Sequence, residues 1–227
     1  MLAAQHPPPP KRHIVPATCM SMEIPAIYSV FRNGEVRAAP VRIEGTEISF
    51  LSEPVPPAYS PEEMEERMPV LVADVRGLGK KELDDRLLTK MKFPGSDVWF
   101  LTHIKDIEDV FDSFMGNVTK VLVPFHTTRN DIVWEEIHEV SENCFPTLFV
   151  SHGKVICRKE QTKDIGTAIG ELERKGFREI VVLDTDSTLR KDDWLYLYER
   201  SPDVIPFVRN TNRVDENEGF QKIIVDL

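Results

Sequence analysis

The chain has 227 residues, with 28 Lys and Arg against 38 Asp and Glu and a formal net charge of −10. That length can bury one substantial core without metals or disulfides, and the acidic balance excludes a nucleic-acid backbone or an anionic membrane as the main partner. Cys19, Cys144 and Cys157 lack metal-type spacing, and their odd number suits the reducing cytoplasm. Residues 1–22 hold the proline run 7–10 and the basic run Lys11-Arg12-His13, and they read as a disordered leader with no signal-peptide core. Residues 23–227 then form a single domain. Segment 24–31 is a strand that turns at Asn33-Gly34, through a type I′ hairpin, into a second strand over 36–43. Glu44-Gly45 and 48–51 suggest a further turn and strand. The stretch 54–61 is a loop, and Pro61 followed by acids opens a short helix.

From residue 70 the pattern becomes repetitive. Short apolar strands over 70–73, 98–101, 121–123, 147–150, 179–183, 205–208 and 223–225 alternate with amphipathic helices. The expected helices are 80–92, with Leu83, Leu87, Leu88 and Met91 inward; one with Ile107, Val110, Phe111 and Phe114 inward, stopped by Gly116; 131–142, with Val133, Ile137 and Val140 inward; 162–176, with Ile165, Ile169 and Leu172 inward and Gly176 as its C-cap; and a short one over 192–199. Together with 24–31 the strands number eight. They are continuously apolar, as strands covered on both faces are, and eight is the number that closes into a barrel. The fold expected is α/β: an imperfect (β/α)8 TIM-type barrel with an N-terminal hairpin elaboration and shortened last units. Only about a dozen residues join the last two strands, too few for a crossover helix. The outer flank of the final strand therefore needs a cover, either the N-terminal hairpin or a second copy of the chain. Trp99, Trp134 and Trp194 are expected between strands and helices.

Ile24-Pro25-Ala26-Ile27 with Asn33-Gly34-Glu35-Val36-Arg37, then Val72-Ala73-Asp74-Val75, Gly153-Lys154-Val155, and the helix ending Lys175-Gly176 followed by 179–189, occur in this order and spacing. The chain thereby resembles the phosphoribosyl isomerase barrels of histidine biosynthesis and their cyclase relatives, as a diverged member. The resemblance implies a barrel whose catalytic acids end the first and fifth strands. Here Tyr28 stands at the first position, and Ser151 or a short deletion before His152-Gly153 at the second. The glycine turns expected to hold a sugar phosphate are replaced by Thr102-His103 and by Arg209-Asn210-Thr211-Asn212, residues that obstruct close backbone approach. The standard isomerase reaction is not expected.

A barrel places its functional residues at the C-terminal ends of its strands. Asp74, His126 and Asp184 are the candidate catalytic groups, with Arg76, His103, His152, Asp186 and Arg209 as candidate substrate-binding groups. A histidine near neutrality with a carboxylate could shift a proton on an aldose or ketose, and the arginines could grip phosphate. Alternatively the three histidines could ligate zinc, although their spacing fits no metal motif, or each could be an independent polar loop residue. No cofactor and no resident metal are expected. Two functions stay open: a diverged isomerase-like or lyase-like enzyme acting on a small phosphorylated or anionic metabolite, and a non-catalytic barrel acting as a ligand-binding or assembly subunit. A rim filled by Phe125, Phe149 and Phe207 would favour the second. The expected partners are the small anionic metabolite and a second copy of the chain, with no nucleic acid and no membrane.

Overall fold

The computed structural model describes residues 21–56, 69–91, 96–201, 203–209 and 219–226. Eight parallel strands close on themselves in the order β1 (Met22–Arg32), β5 (Pro69–Asp74), β6 (Asp97–Leu101), β7 (Lys120–Pro124), β8 (Cys144–Ser151), β11 (Ile180–Asp184), β12 (Val204–Val208) and β13 (Lys222–Asp226). The seam between first and last is parallel, with Met22 opposite Lys222 and Ile24 opposite Ile224. This is the (β/α)8 barrel the apolar runs anticipated. Every residue of β5, β11 and β12 is buried, because alternate side chains enter the barrel and the others meet the helices.

Inside the barrel lie Leu71, Trp99, Phe145, Phe149, Leu183 and Phe207, while Val70, Val72, Phe100, Val182 and Ile223 belong to the outer layer. Trp99 is thus an interior plug, packed edge-on to Phe145 at 5.3 Å. Only Trp134 and Trp194 sit among the helices as expected. The Lys120 ammonium lies 4.5 Å over the Trp99 ring and 3.9 Å from the Asp97 carboxylate. Lys222 pairs with Glu179 beside it, so cations and aromatic faces stop the N-terminal end of the barrel.

The covering helices are α1 (Val75–Lys80), α2 (Asp85–Lys90), α3 (Ile107–Phe114), α4 (Ile132–Val140), α5 (Ile165–Arg174) and α6 (Lys191–Arg200). The helix expected over 80–92 is shortened to α2, and α1, which ends at Lys80, precedes it as an additional helix. Lys81 adopts a left-handed conformation that ends α1, and the Asp84 carboxylate accepts from the Arg86 N–H to start α2. Phe111 and Val140, expected inward, are exposed. Their neighbours Val110 and Ile137 already fill the short contact with the sheet. In α5 the expectation holds: Ile165, Ile169 and Leu172 are buried, and Gly176 has φ +98°.

The N-terminal elaboration differs from the expected long hairpin. Asn33 and Gly34 turn with positive φ into β2 (Glu35–Ala38), which pairs with β1. The chain then breaks at Ala39-Pro40, because proline has no N–H for the ladder. β3 (Val41–Glu44) pairs with β4 (Glu47–Phe50) as a separate hairpin. After β8, a second small hairpin adds β9 (Lys154–Ile156) and β10 (Thr162–Lys163). The outer flank of β13 is closed within the chain: Ile223 and Val225 are 1% and 6% exposed, and Phe220 packs between them and the rings of Trp194 and Tyr198. Among the described residues that flank is covered by Phe220 and α6 rather than by the hairpin. The leader, Cys19, the helix at Pro61, the end of helix 80–92 and Asn210 to Asn212 lie outside the described residues.

Candidate functional site

Asp74 ends β5 and is fully buried. Its Oδ1 accepts the Gly77 N–H at 2.7 Å, and its Oδ2 accepts the Asp84 N–H at 3.2 Å and the Thr102 hydroxyl at 2.9 Å. Burial pushes its pKa up to about 6 against the pull of those donors. The carboxylate therefore caps α1 and ties it to the start of α2 and the end of β6. Gly77 makes this possible, since a Cβ there would lie 2.1 Å from Oδ2. Arg76, on the same helix, turns toward Asp84, with Nε 3.7 Å from Oδ2.

On the neighbouring strand ends stand His103 and His126. The Nδ1 atoms of both are buried and find no hydrogen-bond partner among the described residues. The His126 ring meets Phe149 edge-on at 4.8 Å, at the upper end of the barrel interior. Burial holds its pKa down at about 3, helped by His103 and by Lys81, and His103 is likewise lowered, chiefly by burial. Both imidazoles are therefore neutral near pH 7, each with a buried ring nitrogen left without a partner among the described residues. Lys81, left-handed at φ +61° and near enough for its charge to lower both imidazoles, was not anticipated from sequence.

Across the rim, Asp184 accepts the N–H groups of Thr188 at 3.1 Å and Leu189 at 2.8 Å. Burial raises its pKa to about 6. Asp186 accepts from the Ser151 hydroxyl at 3.0 Å, the His152 N–H at 2.8 Å and the Thr188 hydroxyl at 2.9 Å, and faces His152 Nδ1 at 3.0 Å. Burial works against ionisation of Asp186, but these donors outweigh it and lower its pKa. The segment 184–188 is thus a self-bonded loop of the kind Asp and Ser side chains build. Arg209 donates to the carbonyls of Ile43 at 3.2 Å and Thr185 at 3.0 Å, and pairs with Asp226 at 3.5 Å. Tyr28, buried beside this pair, has its pKa raised by burial first and by the Asp226 charge second. Asp226 carries the same sequence signal as Asp74 and Asp184, an acid ending an apolar strand, and could have been found by it.

The β3–β4 hairpin decides how these groups relate. It leaves β1 through the Ala39 N–H to Tyr28 carbonyl bond. Val41 and Ile43 are buried into the same interior cluster as Phe149 and Phe207. Its tip reaches β9, where a Cβ on Gly45 would touch Ile156 at 3.4 Å. One edge is held by Arg209, and the other runs along α1, with the Ile48 carbonyl near Gly79. The hairpin thus reaches as a bar from α1 to β9 and Arg209 over the end of the barrel where these groups stand, and Arg76 lies on its outer side beside Ile48 and Phe50. His103 and His126 come together, whereas His152 belongs to the Asp186 loop. Among the described residues no group of three or more His, Cys, Asp or Glu is placed to hold a metal. Phe149 and Phe207 fill the interior below the bar, but Phe125 stacks outward on Trp134 at 5.7 Å.

No family model matches the chain, and no curated protein matches it. The (β/α)8 barrel is the class that its architecture defines. No described helix is long and apolar enough to cross a membrane.

The ionisable groups make a checkable pair of opposite effects. Asp74 and Asp184 have pKa values raised from 3.8 to about 6, so their contribution to stability is full below about 3.8 and is lost as pH rises through about 6. His126 is lowered from 6.5 to about 3, so its contribution is full above about 6.5 and is lost as pH falls through about 3. Site-resolved NMR is expected to show the two carboxyls titrating near 6 while the His126 ring stays neutral down to about pH 4. A His126 midpoint near 6.5 would refute its desolvated placement.

Proposed function

We propose that this chain is a barrel that binds a small anionic metabolite without transforming it, serving as a ligand-binding or assembly subunit related by descent to the phosphoribosyl isomerases. The observation that carries this reading is the hairpin bar. Its Val41 and Ile43 are buried in the interior cluster with Phe149 and Phe207, apolar side chains at the end of a barrel that otherwise receives substrate. It is supported by the commitment of Asp74 and Asp184 to backbone donors, since a general base must reach its substrate's proton. Descent is supported by the order of the segments from Ile24 to Leu189, while the absence of glycine turns argues against the family's phosphate grip. The anion would lie at the half-mouth of His103 and His126, where Lys81 supplies charge.

The enzymatic reading is favoured by one observation, the pair of neutral imidazoles with unpartnered Nδ1 atoms. One experiment addresses both readings. Ribulose 5-phosphate is titrated calorimetrically, and the same mixture in deuterated water is followed by NMR for exchange at the carbon beside its carbonyl. Saturable binding that weakens about tenfold in His126→Phe, with no exchange above the buffer rate, is the expected result. Exchange that disappears in His126→Gln would establish the isomerase-like reading instead.

A further inference from the structure

Outside the mouth, between β4 and α1 and over the end of β1, runs a groove of about 490 Å³, a volume suited to a small-molecule ligand. Its floor is apolar: Phe31, Ile48 and Phe50 line it, and Phe50 keeps 51% of its surface in water. Its rim is cationic, with Arg32, Arg76 and Lys80. The Arg86 guanidinium lies 5.8 Å over the Phe31 ring. Arg32 is answered by the exposed Glu53 and Arg76 by Asp84, but Lys80 has no ion pair among the described residues. In a chain of net charge −10, cations gathered around an aromatic floor set a local potential opposite to that of the whole molecule.

We propose that this groove binds a small amphipathic anion, an aryl or acyl chain ending in one carboxylate or sulfonate. The chain lies on Phe31, Ile48 and Phe50, removing their apolar surface from water. The head group meets Lys80 and Arg76, whose charge-assisted hydrogen bonds fix its orientation. A neutral chain of equal length would gain the first contribution and lack the second. A multiply charged, fully polar metabolite would gain only the second, which separates this site from the half-mouth of His103 and His126.

The test is fluorescence titration with anilinonaphthalene sulfonate, followed by displacement with decanoate and with decanol. The expected result is saturable binding at one site, displaced by decanoate about tenfold more effectively than by decanol. Lys80→Gln, at an exposed position, should weaken probe and decanoate several-fold, and Phe50→Ser should weaken both ligands and decanol alike. Phe111→Ser, on the exposed face of α3, should change nothing. Equal displacement by decanol, unchanged binding in Lys80→Gln, or loss of binding in Phe111→Ser would each overturn the proposal. Thermal melts of the variants keep a folding defect distinguishable from a lost contact.

Discussion

Gly77→Ala should destabilise the protein by about 3–5 kcal/mol, measured as a shift of the denaturant midpoint by circular dichroism. The added Cβ would sit 2.1 Å from Asp74 Oδ2, 2.6 Å from the Thr102 hydroxyl and 2.7 Å from the Asp74 carboxyl carbon. None of these atoms is the far end of a flexible chain. Asp74 has no exposed surface to swing toward, so relief means withdrawing it and leaving the N–H groups of Gly77 and Asp84 buried without their acceptor. Gly79→Ala is the control on the same helix. Its nearest contact would be the Ile48 carbonyl at 3.8 Å, so the better helix propensity of alanine should leave stability unchanged or raise it by about 0.5 kcal/mol. Equal midpoints for the two variants would mean that Asp74 does not hold α1 as described.

Trp99→Ala should cost a comparable amount, about 3–5 kcal/mol by the same measurement. Its indole fills the barrel at the level of Phe145 and is 1% exposed, and its Nε1 donates to Asp97 at 3.2 Å. Truncation leaves a void that eight hydrogen-bonded strands cannot collapse to fill. It also strips the aromatic face from beneath Lys120 and Lys222, 4.5 and 5.9 Å from the ring. Trp99→Phe keeps most of the buried ring and should recover most of the loss. If Trp99→Ala costs less than about 1 kcal/mol, the interior is not packed around that ring.

The barrel was legible because strands covered on both faces are written as unbroken apolar runs, and β5 and β11 read that way from either side. The turn at Asn33-Gly34 was legible for a local reason, since those residues accept positive φ. What could not be read was where the next hairpin would go. Val41 and Ile43 alternate with Arg42 and Glu44 as in any half-buried strand, and nothing in that alternation says that the buried face is the mouth of the barrel. The acids posed a similar difficulty. A residue such as Asp74 or Asp184 just after an apolar strand is placed equally well to bind a substrate or to cap the segment that follows. Only the positions of the N–H groups of Gly77 and Leu189 distinguish the two. Burial of His103 and His126 was invisible for the same reason: it is produced by loops from separate units and by Phe149, which are distant in the chain.

The parallel seam between β1 and β13 joins residues roughly 200 positions apart. At a synthesis rate of about 5–20 residues per second, its two sides leave the ribosome roughly 10–40 s apart. For that interval the side of β1 facing the missing strand, with Ile24 and Ala26 destined for the interior, is an open strand edge in a crowded cell. Closure of the ring therefore has to wait for β13, and the growing polypeptide, rather than the closed barrel, is the form most exposed to misassembly with its neighbours.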